Sequence, residues 1–362
     1  MGRLVNFCAG VETYVLPSKR VGAILLNVPA NASSNAAIMS AKRMLELACT
    51  TEVILDSGGF QLHEAERLGK TISYDPSEKL VCNATWLNIA PLHVVQGAAI
   101  FRPRFFIGLD FPIRKGLNSQ EKPAEFMKKL GFNAIWAKEC SALRSRLCPD
   151  VQFFLPVQCY DLNQLGQFMG LIPGVQFDGF SMPIRNLTDM EIILFLVRFR
   201  QMGVRQVHIL GTSKITAIAI ASYMARHYFD WVSFDATTWR IWAEKFLYMN
   251  PLNLEQDRIT SNVKINANLQ MDCPCPFCRG KTFTFIKNMP GADRTAFLRS
   301  HNWWVIEKAT RELYAAAGNI IGLERCLRAR AVNPRKVEEL CRALSLADAL
   351  KSKDIRTLQS LL

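Results

Sequence analysis

The sequence predicts an α/β fold in which parallel strands alternate with helices and close into a (β/α)8 barrel. Two observations carry this. Short runs rich in β-branched and aromatic residues end in a polar or glycine signal, and segments of helical periodicity lie between most of them. The runs are apolar throughout rather than alternating, the pattern of strands buried on both faces. With 362 residues and 49% apolar content, the chain can build one large core and an appendage.

Strands are expected at 21–27, 52–57, 105–110, 151–158, 175–181, 206–211 and 231–237. Helices are expected at 119–129, at 189–202 (with Ile192, Leu194, Leu196 and Val197 among the apolar positions) and at 213–228. The best eighth strand is 263–269. A doubly wound open sheet is the alternative, but no Gly-x-Gly-x-x-Gly loop follows an early strand. Past about Asn262 the texture changes. The reading is a barrel domain at 1–262, a metal-binding subdomain at 263–305 and C-terminal helices at 306–362 packing on the barrel. The helical tail is expected from Trp303 onward, with Pro334 as a breaker.

The net charge is +13 and the pI about 9.3, with basic residues in short clusters such as Arg102 and Arg104, Lys128 and Lys129, and Arg335 and Lys336. A dispersed excess of this kind suits a polyanion and points to nucleic acid. No stretch reaches the roughly 18 apolar residues of a membrane helix. The eleven cysteines are scattered apart from one cluster, which suits a reducing cytoplasm rather than a disulfide framework.

That cluster is Cys273-x-Cys275-x-x-Cys278, with Pro274 and Pro276 between the thiols fixing the backbone. Three thiols and one histidine form a closed tetrahedral zinc set, and His301 is the expected fourth ligand, with His208 and His227 as other candidates on spacing. A full protein shell leaves no position for water, so one structural zinc per chain is expected.

In a barrel, chemistry belongs at the C-terminal ends of the strands. Asp56, Asp110 and Asp235 occupy such ends, and the Gly58-Gly59 pair after Asp56 permits a sharp turn and close approach of a ligand. Gln158 ends another strand and offers the donor and acceptor that a base edge requires. Gly179-Phe180-Ser181 ends the next.

These residues together resemble the tRNA-guanine transglycosylase superfamily. Asp56-Ser57-Gly58-Gly59-Phe60-Gln61 matches its Asp-Ser-Gly-Gly-Phe-Gln signature. The three cysteines followed by His301-Asn302 match its zinc site, Phe234-Asp235 its nucleophile motif, and Asp110 and Gln158 its base-reading residues. The resemblance covers roughly residues 20–305 and implies a modified barrel with an inserted zinc subdomain. It implies Asp235 as nucleophile and Asp56 as general acid and base. Ser57, Gly58, Gly59, Phe60, Gln61, Asp110, Gln158, Gly179, Phe180 and Arg240 then form the substrate site, with Phe60, Phe111 and Phe180 as candidate stacking partners of the base. The departures lie at Ala236–Arg240, at Asp110-Phe111-Pro112 and at 178–184, where the family's polynucleotide-reading and base-discriminating loops differ. They bring the chain closest in character to the branch that places 7-deazaguanines in DNA. The expected partners are DNA and a free 7-deazaguanine base, with room for a homodimer and for other proteins of a DNA-modification system. The same exchange on tRNA is the first alternative. A non-catalytic nucleic-acid-binding subunit is the alternative of another class, against which both catalytic carboxylates are present.

Overall fold

The computed structural model describes residues 2–11, 16–18, 20–69, 72–75, 79–82, 89–113, 122–258 and 273–351. Eight strands close a parallel barrel in chain order: Arg3–Cys8 (β1), Ala23–Asn27 (β2), Glu52–Asp56 (β3), Phe105–Ile107 (β4), Gln152–Pro156 (β5), Gly179–Pro183 (β6), Gln206–Leu210 (β7) and Trp231–Ala236 (β8). β8 returns to β1 with Phe7 opposite Asp235, so no edge is left open. Helices cover the outside, and Val5, Phe7, Leu25, Ile54, Phe105 and Phe154 fill the inside. An open sheet is excluded.

The closing strand is not the expected one. Residues 263–269 lie outside the described residues, and β1 takes the eighth place. Its Val5 and Phe7, with Ala9 just beyond, face inward at a period of two, and Asn6 interrupts the apolar run that would have announced it. The strand expected at 175–181 is also displaced. Gly174 has φ +77°, and Asp178 spends its carboxylate on the Phe153 N–H and on Arg144, so β6 begins only at Gly179.

The helix read at 119–129 runs Pro123–Leu147; residues 119–121 lie outside the described residues. Helices Asp189–Gln201 and Ile215–His227 stand close to expectation, the first opened by a Thr188/Glu191 capping box. The C-terminal part begins earlier than Trp303, with helix Gly291–Ala316, followed by Ile320–Ala329 and Pro334–Leu350. Pro334 opens the last helix, where its missing N–H costs nothing. That helix packs on Asp189–Gln201, and Tyr223 and Tyr228 donate to Asp348 on it. Among the described residues no helix is long and apolar enough to cross a membrane.

Candidate active site and metal cluster

Asp56 closes β3, and Asp235 is the last residue but one of β8; both look into the mouth at the C-terminal end of the barrel. Asn27, at the end of β2, donates from Nδ2 to Oδ2 of Asp56 at 3.0 Å. Gln61 in turn donates to Oδ1 of Asn27 at 3.3 Å. Oδ1 of Asp235 accepts the N–H of Gly211 at 2.8 Å, and Nε2 of His208 stands 3.3 Å from the same oxygen. Burial pushes the Asp56 carboxyl up to about 6, and the nearby Asp235 charge adds to this, while the bond from Asn27 opposes it. A carboxyl in that range can both give and take a proton near neutrality.

Asp110 follows β4 by three residues and is buried. The Ser57 hydroxyl donates to its Oδ1 at 3.0 Å, and the Gln158 amide donates to its Oδ2. Burial, and after it the Asp56 charge, raises this carboxyl to about 7, against the pull of the Ser57 and Gln158 bonds. The glycine pair is what makes the approach possible. Gly58 has φ +92°, and a β-carbon there would stand 2.5 Å from Cγ of Pro29. At Gly59 a β-carbon would lie 2.2 Å from Oδ1 of Asp110. Asp56, Ser57, Gly58, Gly59, Gln61, Asp110, Gln158 and Asp235 therefore form one constellation.

Gly179 and Phe180 do not reach it. Because β6 begins at Gly179, that residue lies at the far end of the barrel. A β-carbon there would stand 2.7 Å from both the Gln206 carbonyl and the Phe154 ring. Phe180 points outward and packs on Phe177 and Phe199, with ring centroids 4.9 and 4.4 Å away. Phe111 is likewise core, against Trp136, with its peptide group doubly bonded to Asn133. Phe60 is exposed on helix Gly59–Arg67. Arg240, on helix Thr238–Glu244, donates to the Gly10 carbonyl and to Glu244. Asn27, Gly211 and His208 belong to the site although the sequence reading did not place them there. Asn27 ended an apolar run just as Asp56 did, which was a signal for it.

The cysteine cluster joins a turn segment to helix Gly291–Ala316. The sulfurs of Cys273, Cys275 and Cys278 stand 3.7, 3.4 and 3.2 Å from Nδ1 of His301, all four residues are buried, and their ligand atoms lie within 4.8 Å of one another. His301 Nε2 donates to the Met249 carbonyl at 2.8 Å, which leaves Nδ1 bare toward the sulfurs. These donors fit a tetrahedral ion such as zinc. Next to His301, Asn302 accepts from the Met249 N–H and donates to the carbonyls of Trp239 and Leu247. Trp239 donates from its indole to the Ala9 carbonyl. The cluster is thus coupled to the segment that follows Asp235.

No family model matches the chain. Over 191 residues, 52% of its length, the chain is 25% identical to a tRNA-guanine(15) transglycosylase of Thermococcus kodakarensis. The matched part amounts to 28% of that protein's length.

Proposed function

We infer that this chain, by that homology a member of the tRNA-guanine transglycosylase superfamily, exchanges guanine for another base at C1′ of a nucleotide in a polynucleotide. The observation that carries the reading is the pair of unlike carboxylates at one barrel mouth. Asp56 has a raised affinity for a proton, while Asp235 accepts a backbone N–H. Asp235 attacks C1′ as the C1′–N9 bond breaks, and Asp56 gives its proton to the departing guanine. The incoming base loses a proton to Asp56 and displaces Asp235 from C1′. Two displacements retain configuration. The base has to leave its stack to reach the mouth.

Asp110, held by Ser57 and Gln158, reads the polar edge of the base. A carboxyl raised to about 7 can present a proton or an acceptor to it. The four residues Cys273, Cys275, Cys278 and His301 would hold zinc, which stabilises the fold and takes no part in the exchange.

The polymer is DNA and the incoming base a 7-deazaguanine. The support is the segment after Asp235. It folds as a short helix whose Trp239 is buried and whose Arg240 is engaged by Gly10 and Glu244, which argues against a loop built to seat an anticodon. The homologue's own name favours tRNA, the second reading. A competition assay decides: labelled guanine or a 7-deazaguanine is offered with duplex DNA, single-stranded DNA and bulk tRNA at fixed salt. Incorporation confined to tRNA sinks the DNA reading and leaves Asp56 and Asp235 in their roles. Loss of exchange in Asp235→Asn, with polymer binding kept, is expected in either case.

A further inference from the structure

A polar row crosses the middle of this barrel among the apolar side chains that fill it. Ser181, His208 and Ser233 stand side by side on β6, β7 and β8, each fully buried. Phe7 and Phe105 press their rings on the imidazole at centroid distances of 6.2 and 5.7 Å. Burying polar groups in such a layer is costly unless each finds a partner. His208 meets one such partner on β8 and faces a second group there, but its Nε2 makes no hydrogen bond. Nδ1 is 2.9 Å from the Ser233 hydroxyl, and Nε2 is 3.3 Å from Oδ1 of Asp235.

We propose that His208 is a positioning residue for Asp235: it engages Oδ1 so that Oδ2 is the oxygen presented to C1′. The proposal rests on the transglycosylase reading above. The role asks for the tautomer in which the Ser233 O–H donates to Nδ1 and Nε2 carries the proton toward Asp235, and the 2.9 Å contact with Ser233 accommodates it. At 3.3 Å the pair does not yet form a hydrogen bond, and the bond proposed is one made when substrate seats the carboxylate. Gly211 donates to the same Oδ1 at 2.8 Å. Among the described residues, both groups that approach the Asp235 carboxylate as donors are therefore at one oxygen. The other is left for the reaction.

In the first half of the exchange, Oδ2 bonds to C1′ while the C1′–N9 electron pair and the Asp56 proton leave with guanine. Oδ1 becomes the carbonyl oxygen of the glycosyl ester, still facing Gly211 and His208. In the second half, the incoming base bonds C1′ and gives its proton to Asp56. Oδ2 takes back the bonding pair, and the two donors meet the returning carboxylate. His208 thus acts on both halves, through Asp235 and without touching substrate.

The test uses full-length protein and exchange of labelled guanine into whichever of duplex DNA or tRNA the wild type accepts. His208→Leu should lower kcat about tenfold to a hundredfold, the worth of a hydrogen bond to a charged group. KM for guanine and polymer binding should be unchanged, and the trapped covalent adduct should form more slowly. His208→Gln, whose amide can still reach Asp235, should recover most of the rate. If His208→Leu does not fold, His208→Asn takes its place, since its shorter amide reaches Ser233 but not Asp235. A wild-type kcat in the Leu or Asn variant overturns the proposal. So does an equal loss in the Gln variant, which would make the imidazole merely structural. Asp235→Asn is run alongside: a wild type that exchanges no guanine removes the transglycosylase reading itself, exchange that persists in Asp235→Asn removes Asp235 as the nucleophile and the inference with it, and a dead Asp235→Asn beside a fully active His208→Leu removes only the inference about His208.

Discussion

At Gly59 a β-carbon would lie 2.2 Å from Oδ1 of Asp110, whose other contacts are the Ser57 hydroxyl and the Gln158 amide. Gly59→Ala should therefore displace Asp110, destabilise the fold by about 1–3 kcal/mol and weaken binding of the free base. Denaturant unfolding and a base titration on the same sample check both effects. Asp56 carries a second expectation. Its raised carboxyl keeps a proton in the folded chain to a higher pH than in the unfolded one. The stability this contributes is complete below the ordinary carboxylate range and is lost as pH rises through about 6. Asp56→Asn should accordingly gain stability relative to wild type at pH 8 and little at pH 4. In the wild type, release of guanine should speed up as pH falls through 6, because the leaving base needs that proton. A release rate flat from pH 5 to 8 would count against Asp56 as the acid. Asp56 was legible because two glycines follow it. His208 was not, because its partners, Ser233 and Asp235, come from another strand, and a lone histidine in an apolar run says nothing about what lies across the barrel.

Helix Gly291–Ala316 links the metal cluster to the barrel through two adjacent side chains that can be separated by mutation. His301→Ala should abolish tight zinc binding and lower the unfolding temperature, as should a chelator. Asn302→Ala should leave the zinc content intact and still cost about 3 kcal/mol, since it strands the Met249 N–H and the carbonyls of Trp239 and Leu247 in the interior. Metal analysis beside thermal unfolding distinguishes the two, and full zinc in His301→Ala would remove His301 from the cluster. Elements buried on both faces announced themselves in the sequence, so β2 to β5, β7 and β8 were readable as continuous apolar runs. β1 was hidden by Asn6. The end of the helix read at 119–129 was hidden because Gly131, which after Lys128 and Lys129 reads as a glycine cap, lies inside a helix that runs on to Leu147. β6 was misplaced because the apolar Val175 and Phe177 precede a turn that takes Asp178 out of the strand.

Across the whole molecule, the net charge of +13 predicts that polymer affinity falls steeply with salt, whether DNA or tRNA is offered. Binding that does not change between about 50 and 200 mM salt would contradict a phosphate-dominated contact. Closure of the barrel in chain order has a consequence for how the protein is made. β1 leaves the ribosome first, yet one of its two partners, β8, follows only after the other six strands. Until then the growing sheet has two bare edges, and the first strand holds on to the rest through one side alone. A fragment ending at Asp230 should therefore accumulate as aggregate, whereas supplying the missing strand as part of a longer chain restores a soluble product. Sedimentation of the two translation products would show the difference. The interval between synthesis of Cys8 and of Ala236 should therefore be the period in which this chain is most prone to aggregate.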